Sequence, residues 1–299
     1  MRPPNCNVKP SGPLLLADRM HVPEMGEMMQ SLAEVRKLYL DMVQRCIINT
    51  IYEDQNQGFW SPQVFDSRLR ELGRDWPAKA HSMIGNRRLA NLRDVLEFVI
   101  AKQIPGDFIE TGAWRGGACI MARAVFRAYG VTDRRVWVAD SFCGLPAPNP
   151  KFTADANDKH HTYAELAVSL EEVKSNFAKY DLLDDQVVFL KGWFSETLPQ
   201  APIRSVAVLR LDGDMYESTM DGLVHLYDKV WPGGVIIVDD FGALAACRQA
   251  VLEFRADRKI EDPIYDIDGI GVFWQKSATP LSVVPGSSNA SHAAAGQSV

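Results

Sequence analysis

The feature that most constrains this 299-residue chain is a pair of apolar runs that each end abruptly in two acids. Val206-Ala207-Val208-Leu209-Arg210-Leu211 runs into Asp212-Gly213-Asp214, and Val235-Ile236-Ile237-Val238 runs into Asp239-Asp240. Short strand-forming runs of this kind read as buried strands whose carboxyl ends open into a crevice. In open α/β sheets ligands bind at that end. If the two strands are neighbours, four carboxylates share one small volume, where they raise one another's pKa and repel unless a cation sits among them. The clustering therefore points to a divalent metal. A plainer reading stays open for each pair alone. Asp-Gly-Asp is also a turn and helix-start signal, and Asp214 could simply cap a helix beginning near Tyr216.

The rest of the chain supplies matching strand–helix units. Asp107-Phe108-Ile109-Glu110-Thr111 breaks into Gly112-Ala113-Trp114-Arg115-Gly116-Gly117, and a helix continues over 118–128. The glycines let backbone approach a ligand, and the helix start offers free N–H groups. The spacing is neither the dinucleotide fingerprint nor a P-loop, which needs a lysine. Glu110, placed before the first glycine, would repel a pyrophosphate but suits an amine. Val136-Trp137-Val138-Ala139 then closes in Asp140-Ser141, where an acid can accept hydrogen bonds from ribose hydroxyls. A nucleoside with a cationic amino-acid portion and no phosphate is S-adenosylmethionine. A third strand over 186–191 leads to Gly192-Trp193, where Trp193 either lines an adenine pocket or fills core. The closing segments are a helix over 243–255, a turn at Asp266-Ile267-Asp268-Gly269 and a strand over 271–274. Together they predict an α/β, doubly wound, mostly parallel sheet with one antiparallel strand at its end.

Other stretches bound the organisation. Residues 1–25 are proline-rich and read as a flexible lead-in, and 277–299 carry no charge and read as a disordered tail. Over 27–51, Leu32, Val35, Tyr39, Met42, Val43, Cys46 and Ile47 recur at helical steps, predicting an amphipathic helix that buries one face. Dimerisation or a cap over the site would each occupy it. This helix and the aromatic-rich stretch to residue 80 form an N-terminal helical extension, with the main domain over 81–276. Trp60 and Trp76 read as hydrophobic pins, whereas Tyr52 could face a hydroxylated ligand. Residues 142–164 form a long non-periodic excursion, a lid or a disordered loop; its His160 and His161 read as a solvated pair rather than bases or metal ligands. The net charge of −6 gives no electrostatic reason to expect nucleic acid or an anionic membrane, and no run is long enough to span a bilayer. Five scattered cysteines make neither a disulfide framework nor a zinc site, so a cytoplasmic location is expected.

The strings NTIYED, DWPAKAHSMIG, GDFIETGAWRGGACI, VWVADSFCGLP, VLRLDGDMYESTMD and PGGVIIVDDFGA closely resemble the macrocin O-methyltransferase (TylF-type) family, over roughly 30–276. The resemblance implies a class I (Rossmann-like) methyltransferase fold, S-adenosylmethionine, and Mg²⁺ held by Asp212, Asp239 and Asp240, with Asp214 as general base. It places cofactor contacts on Met83, Glu110, Gly112, Trp114, Gly117, Asp140, Ser141, Gly192 and Trp193, with Asp212 shared, and matches Tyr52 to a substrate-facing tyrosine. It further implies a homodimer or higher homo-oligomer and a glycosylated small-molecule substrate methylated on a sugar hydroxyl in antibiotic biosynthesis. Cys143 and Phe241 depart from the family pattern near the pocket. Two rivals share parts of these features: a catechol-type phenolic O-methyltransferase, and a metal-dependent glycosyltransferase with its own D-x-D after a strand. The second leaves the Glu110-Thr111-Gly112 turn without a role.

Overall fold

The computed structural model describes residues 25–277; apart from their boundary residues, the lead-in over 1–25 and the tail over 277–299 lie outside it. Three helices come first: α1 (Met25–Ile47), α2 (Ser67–Leu72) and α3 (Gly85–Ala101). Strand–helix units follow as β1 (Asp107–Thr111), α4 (Gly117–Ala128), β2 (Val136–Asp140), α5 (Leu170–Lys179), β3 (Val187–Lys191) and α6 (Phe194–Thr197). The chain closes through β4 (Val206–Leu211), α7 (Tyr216–Leu226), β5 (Val230–Val238), α8 (Ala245–Asp257), β6 (Tyr265–Asp266) and β7 (Val272–Gln275).

These strands form one seven-stranded sheet in the order β3-β2-β1-β4-β5-β7-β6. The first five in that order run parallel, and β7 lies antiparallel to both β5 and β6. This is the doubly wound, mostly parallel sheet with one antiparallel strand that the sequence predicts. The strand order reverses between β1 and β4, the switch point at which such sheets open a crevice.

Side chains alternate across the sheet with the period of two that strands impose. Phe108, Val136, Val138 and Val208 enter one apolar layer, packed with α1, α3, α4 and α5 residues. Ile109, Trp137, Leu209 and Ile236 enter the other, under α7 and α8. Covered on both faces, β4 is buried at every position, which is why it reads as a near-continuous apolar run. Its one exception, Arg210, shares a register level with Glu110 on β1.

α1 buries Leu40, Val43, Gln44 and Ile47, and its main packing partner is α4. The sequence pattern had merged two stripes: Leu32, Val35 and Met42, expected on the buried face, are more than half exposed.

Candidate active site

Register builds the site. Thr111 pairs with Leu211, and Leu211 with Val238, so the acids that follow β4 and β5 emerge side by side. The ladder continues one step beyond the strands: Asp212 N donates to Thr111 O and Asp239 N to Leu211 O, each at 2.9 Å. Gly112 stands at φ +88°, and a Cβ there would lie 1.7 Å from the Asp212 carbonyl oxygen. Only glycine permits that approach.

Asp212, Asp239 and Asp240 each offer a carboxylate oxygen, all within 4.8 Å of one another. Two arginines run into the same cluster, and the sequence pattern alone did not announce them. Arg210 is 1% exposed and donates to Glu110, Asp212 and Asp239. Arg88, from α3, pairs with Asp239 and Asp268 and donates to Gly73 O at 3.1 Å. The available signal was a charged residue inside a buried strand: a guanidinium there must meet carboxylates. Six carboxylates (Glu110, Asp212, Asp214, Asp239, Asp240, Asp268) thus share two guanidiniums.

That imbalance shows in the proton affinities. Burial pushes Glu110 up to about 7 against the pull of Arg210. Burial, then the Asp239 charge, lifts Asp212 to about 6, and burial with Asp212 lifts Asp214 to about 7. Asp240 is raised well above the usual carboxylate range by burial and by Asp214, Asp212 and Asp239. Hard carboxylate oxygens at one locus, with charge in excess, fit a hard divalent cation.

Asp214 does not cap a helix. It sits in the left-handed region at φ 60°, and its N–H reaches Asp240 Oδ2 at 3.3 Å. α7 is instead capped by Asp155, fully buried, whose oxygens accept from Tyr216 N (2.7 Å) and Glu217 N (3.0 Å). Asp155 belongs to the excursion after β2, which is therefore fastened, not disordered. It folds as three 3₁₀ turns, and Trp114 Nε1 donates to Glu165 O at 2.9 Å to tie it to the glycine turn.

One cavity of about 830 Å³ collects these groups, within the size range of small-molecule sites. Met83, Glu110, Gly112, Trp114, Asp140, Ser141, Gly192, Trp193, Asp212, Asp214, Asp239 and Asp240 all line it. Glu110 already has both oxygens engaged, one by Arg210 and the other by the Cys119 thiol at 2.8 Å. Asp140 accepts from the Ala113, Trp114 and Phe142 amides, so it shapes the turn as well as facing the cavity. His160 also lines the wall, held by Asp158 at 2.6 Å, and is not the solvated residue expected. Two expected residues lie off the wall. Gly117 lies at the start of α4, its N–H on His81 O and its α-carbon against that backbone. Tyr52 is 86% exposed.

The profile of the macrocin-O-methyltransferase (TylF) family matches residues 40–276. The chain is 50% identical over 248 residues to the 8-demethyl-8-(2,3-dimethoxy-α-L-rhamnosyl)-tetracenomycin-C 4'-O-methyltransferase of Streptomyces olivaceus, covering 82% of this chain and 95% of that protein. It is 48% identical to the mycinamicin III 3''-O-methyltransferase of Micromonospora griseorubida, with coverages of 81% and 97%. Among solved structures, the O-methyltransferase NovP superposes with a TM-score of 0.78 at 49% identity, over 81% of this chain and all of that one.

Proposed function

The chain belongs to the macrocin-O-methyltransferase family and is an O-methyltransferase, and from that premise we propose that it methylates a sugar hydroxyl of a glycosylated small molecule. S-adenosylmethionine is the methyl donor in this reading, Mg²⁺ is held by Asp212, Asp239 and Asp240, and Asp214 is the proton acceptor. The carrying observation is that Asp214 faces the cavity beside the three-carboxylate cluster while a different residue caps its helix. The acceptor class is supported by the rhamnosyl and mycinamicin wording of the relatives' names.

A sugar hydroxyl is a weak nucleophile until its proton is being removed. The Asp214 carboxylate takes that proton as the acceptor oxygen bonds to the methyl carbon, and the donor leaves as a neutral thioether. When bound, the divalent ion supplies positive charge that lowers the cost of losing the hydroxyl proton. Arg210 and Arg88 fix the Asp212 and Asp239 carboxylates, so little reorganisation accompanies the reaction. The loop fastened by Asp155 and Trp114 contributes Leu145, Pro146, Ala147, Asn149 and His160 to the cavity wall. Family membership sets aside the glycosyltransferase.

Self-association through α1 is part of the proposal. Leu32, Val35, Tyr39 and Met42 are exposed on it with the 3-4-3 spacing of a helix-pairing seam. Sedimentation velocity tests this, and a monomer at micromolar concentration refutes it. Among the described residues no helix is long and apolar enough to cross a membrane.

Titration calorimetry with S-adenosylmethionine, with and without Mg²⁺, followed by methyl-transfer assays on glycosylated acceptors, tests the whole. Chelator-sensitive methylation of a sugar hydroxyl is expected. Methylation of a free catechol in preference to any glycoside would overturn the acceptor class.

A further inference from the structure

Two tryptophans that read alike in sequence behave differently in the structure. Trp76 is 1% exposed and acts as a pin. Its backbone accepts from Gln57 N at 2.8 Å, and its ring meets Phe59 at 4.4 Å and Tyr163 of the lid at 5.8 Å between centroids. Trp60 rests on it at 4.8 Å with an interplanar angle of 34°. Yet Trp60 remains 57% exposed and lines the cavity that holds the carboxylates. Stacking on Trp76 holds the indole in place but buries less than half of it, so aromatic surface stays available on the cavity wall.

The surroundings make it a fixed platform. Asn56, 2% exposed, ties the Trp60 loop by donating to Pro62 O and Val64 O at 3.2 and 2.9 Å. The backbone before Trp76 is bound to the reacting end, because Arg88 bridges Gly73 O and Asp239. Asp75, also on the cavity wall, keeps one buried oxygen without a partner while the other accepts from Arg70. The lid adds Leu145, Pro146 and Ala147 elsewhere on the same cavity's lining. A sugar held at the carboxylates finds its hydroxyl partners there, whereas the exposed indole of Trp60 gives this wall a flat aromatic surface beside the charged Arg74 and Asp75. It suits what is attached to the sugar.

We propose that Trp60, backed by Trp76 and Phe59, is a stacking platform for a planar conjugated aglycone of the acceptor, making this wall a subsite that selects flat aromatic glycosides over saturated ones. This rests on the sugar-methylation reading above. Trp has two side-chain torsions to immobilise, and it is already braced, so stacking incurs little ordering loss.

The test is calorimetric titration of the full-length protein, saturated with S-adenosylhomocysteine and Mg²⁺, with 2-naphthyl and cyclohexyl α-L-rhamnosides. The naphthyl glycoside is expected to bind about tenfold tighter, the scale of one good aromatic contact. Trp60→Ala is expected to erase that preference, and Trp60→Phe to retain most of it, with S-adenosylhomocysteine affinity unchanged in both. Equal or undetectable binding of the two glycosides, or a naphthyl preference that survives in Trp60→Ala, overturns the platform. So does an equal loss for both glycosides, which would assign Trp60 to the sugar ring. If S-adenosylhomocysteine itself gives no heat, the methyl-transfer reading has failed instead.

Discussion

Replacing Arg210 with Met keeps an unbranched stem of similar length and deletes the charge at the centre of the carboxylate cluster. Arg210 is 1% exposed and pairs with Glu110, Asp212 and Asp239. Removing one partner of a buried ion pair leaves uncompensated charge and costs about 3–5 kcal/mol. For a chain of this size that corresponds to a fall in Tm of about 10 °C. The deficit must also depend on pH. Arg210 holds Glu110 and Asp212 below where burial alone would put them, so its loss raises both folded-state pKa values further above those of the unfolded chain. Such a carboxyl destabilises the fold once pH exceeds its unfolded value, and the penalty is relieved as pH falls and the folded state takes up the proton. With Glu110 already near 7 and Asp212 near 6 in the native protein, the variant's deficit is largest at pH 8 and shrinks towards pH 5. Thermal unfolding followed by far-ultraviolet circular dichroism, in chelator, measures it. A deficit below about 1 kcal/mol, no more than that of an ordinary surface pair, or one equal at both ends of that range, would refute the assignment of Arg210 as the cluster's counter-charge.

Three further outcomes are expected. Asp214→Asn lowers kcat by about 10²–10⁴, the usual range for a lost proton acceptor, while calorimetry shows the donor's affinity unchanged; a loss under tenfold returns Asp214 to a turn role. Asp155→Ala removes both side-chain acceptors at the start of α7, costs about 1 kcal/mol, and opens the 142–169 loop to limited proteolysis; an unaltered cleavage pattern argues that other contacts hold the lid. His81 is hydrogen-bonded to Tyr180 at 2.8 Å and pushed down to about 4 by burial, then by Lys179 and Arg115. The unfolded chain therefore binds the extra proton between pH 6.5 and 4, and stability drains as pH falls through that window. Urea unfolding of His81→Gln has a flatter pH dependence there, and an unchanged slope removes His81 as the source.

What could be read from sequence follows from how local each signal is. The strand ends at Asp212 and Asp239 were legible because parallel strands buried on both faces leave continuous apolar runs, and a carboxylate pair interrupts them unmistakably. Their adjacency was conditional on strand order, which the β4–β5 register supplies. The Asp155 cap was not legible, since its partners lie 61 and 62 residues away and nothing near Asp155 encodes them. On α1, apolar residues occupy both the stripe against α4 and an outer stripe, so periodicity alone could not say which is buried. Trp60 and Trp76 share type and neighbourhood; only the position of the cavity separates platform from pin. Arg210 was visible but unread, because its meaning depends on the Glu110 level across the sheet.

The surplus of six carboxylates over two guanidiniums couples the site to stability. Every group raised above its ordinary value, Glu110, Asp212, Asp214 and Asp240 among them, opposes folding at neutral pH, so this end of the sheet is destabilised for the sake of its chemistry. A cation that binds the folded cluster and not the unfolded chain must reverse part of that loss. At a free concentration one hundred times its dissociation constant it stabilises by about 2.7 kcal/mol, or about 5–10 °C in Tm. Mg²⁺ is therefore expected to raise the Tm of the wild-type protein at pH 8 and to do much less at pH 5.5, where protons already occupy the raised carboxyls. Asp240→Asn separates this from general ionic strength. It removes one of the three converging carboxylates and relieves repulsion at once, so the variant should be more stable than wild type in chelator yet gain little from Mg²⁺. Scanning calorimetry of both proteins, with matched ionic strength from NaCl, decides it: an equal Mg²⁺ response in the two would place the ion elsewhere.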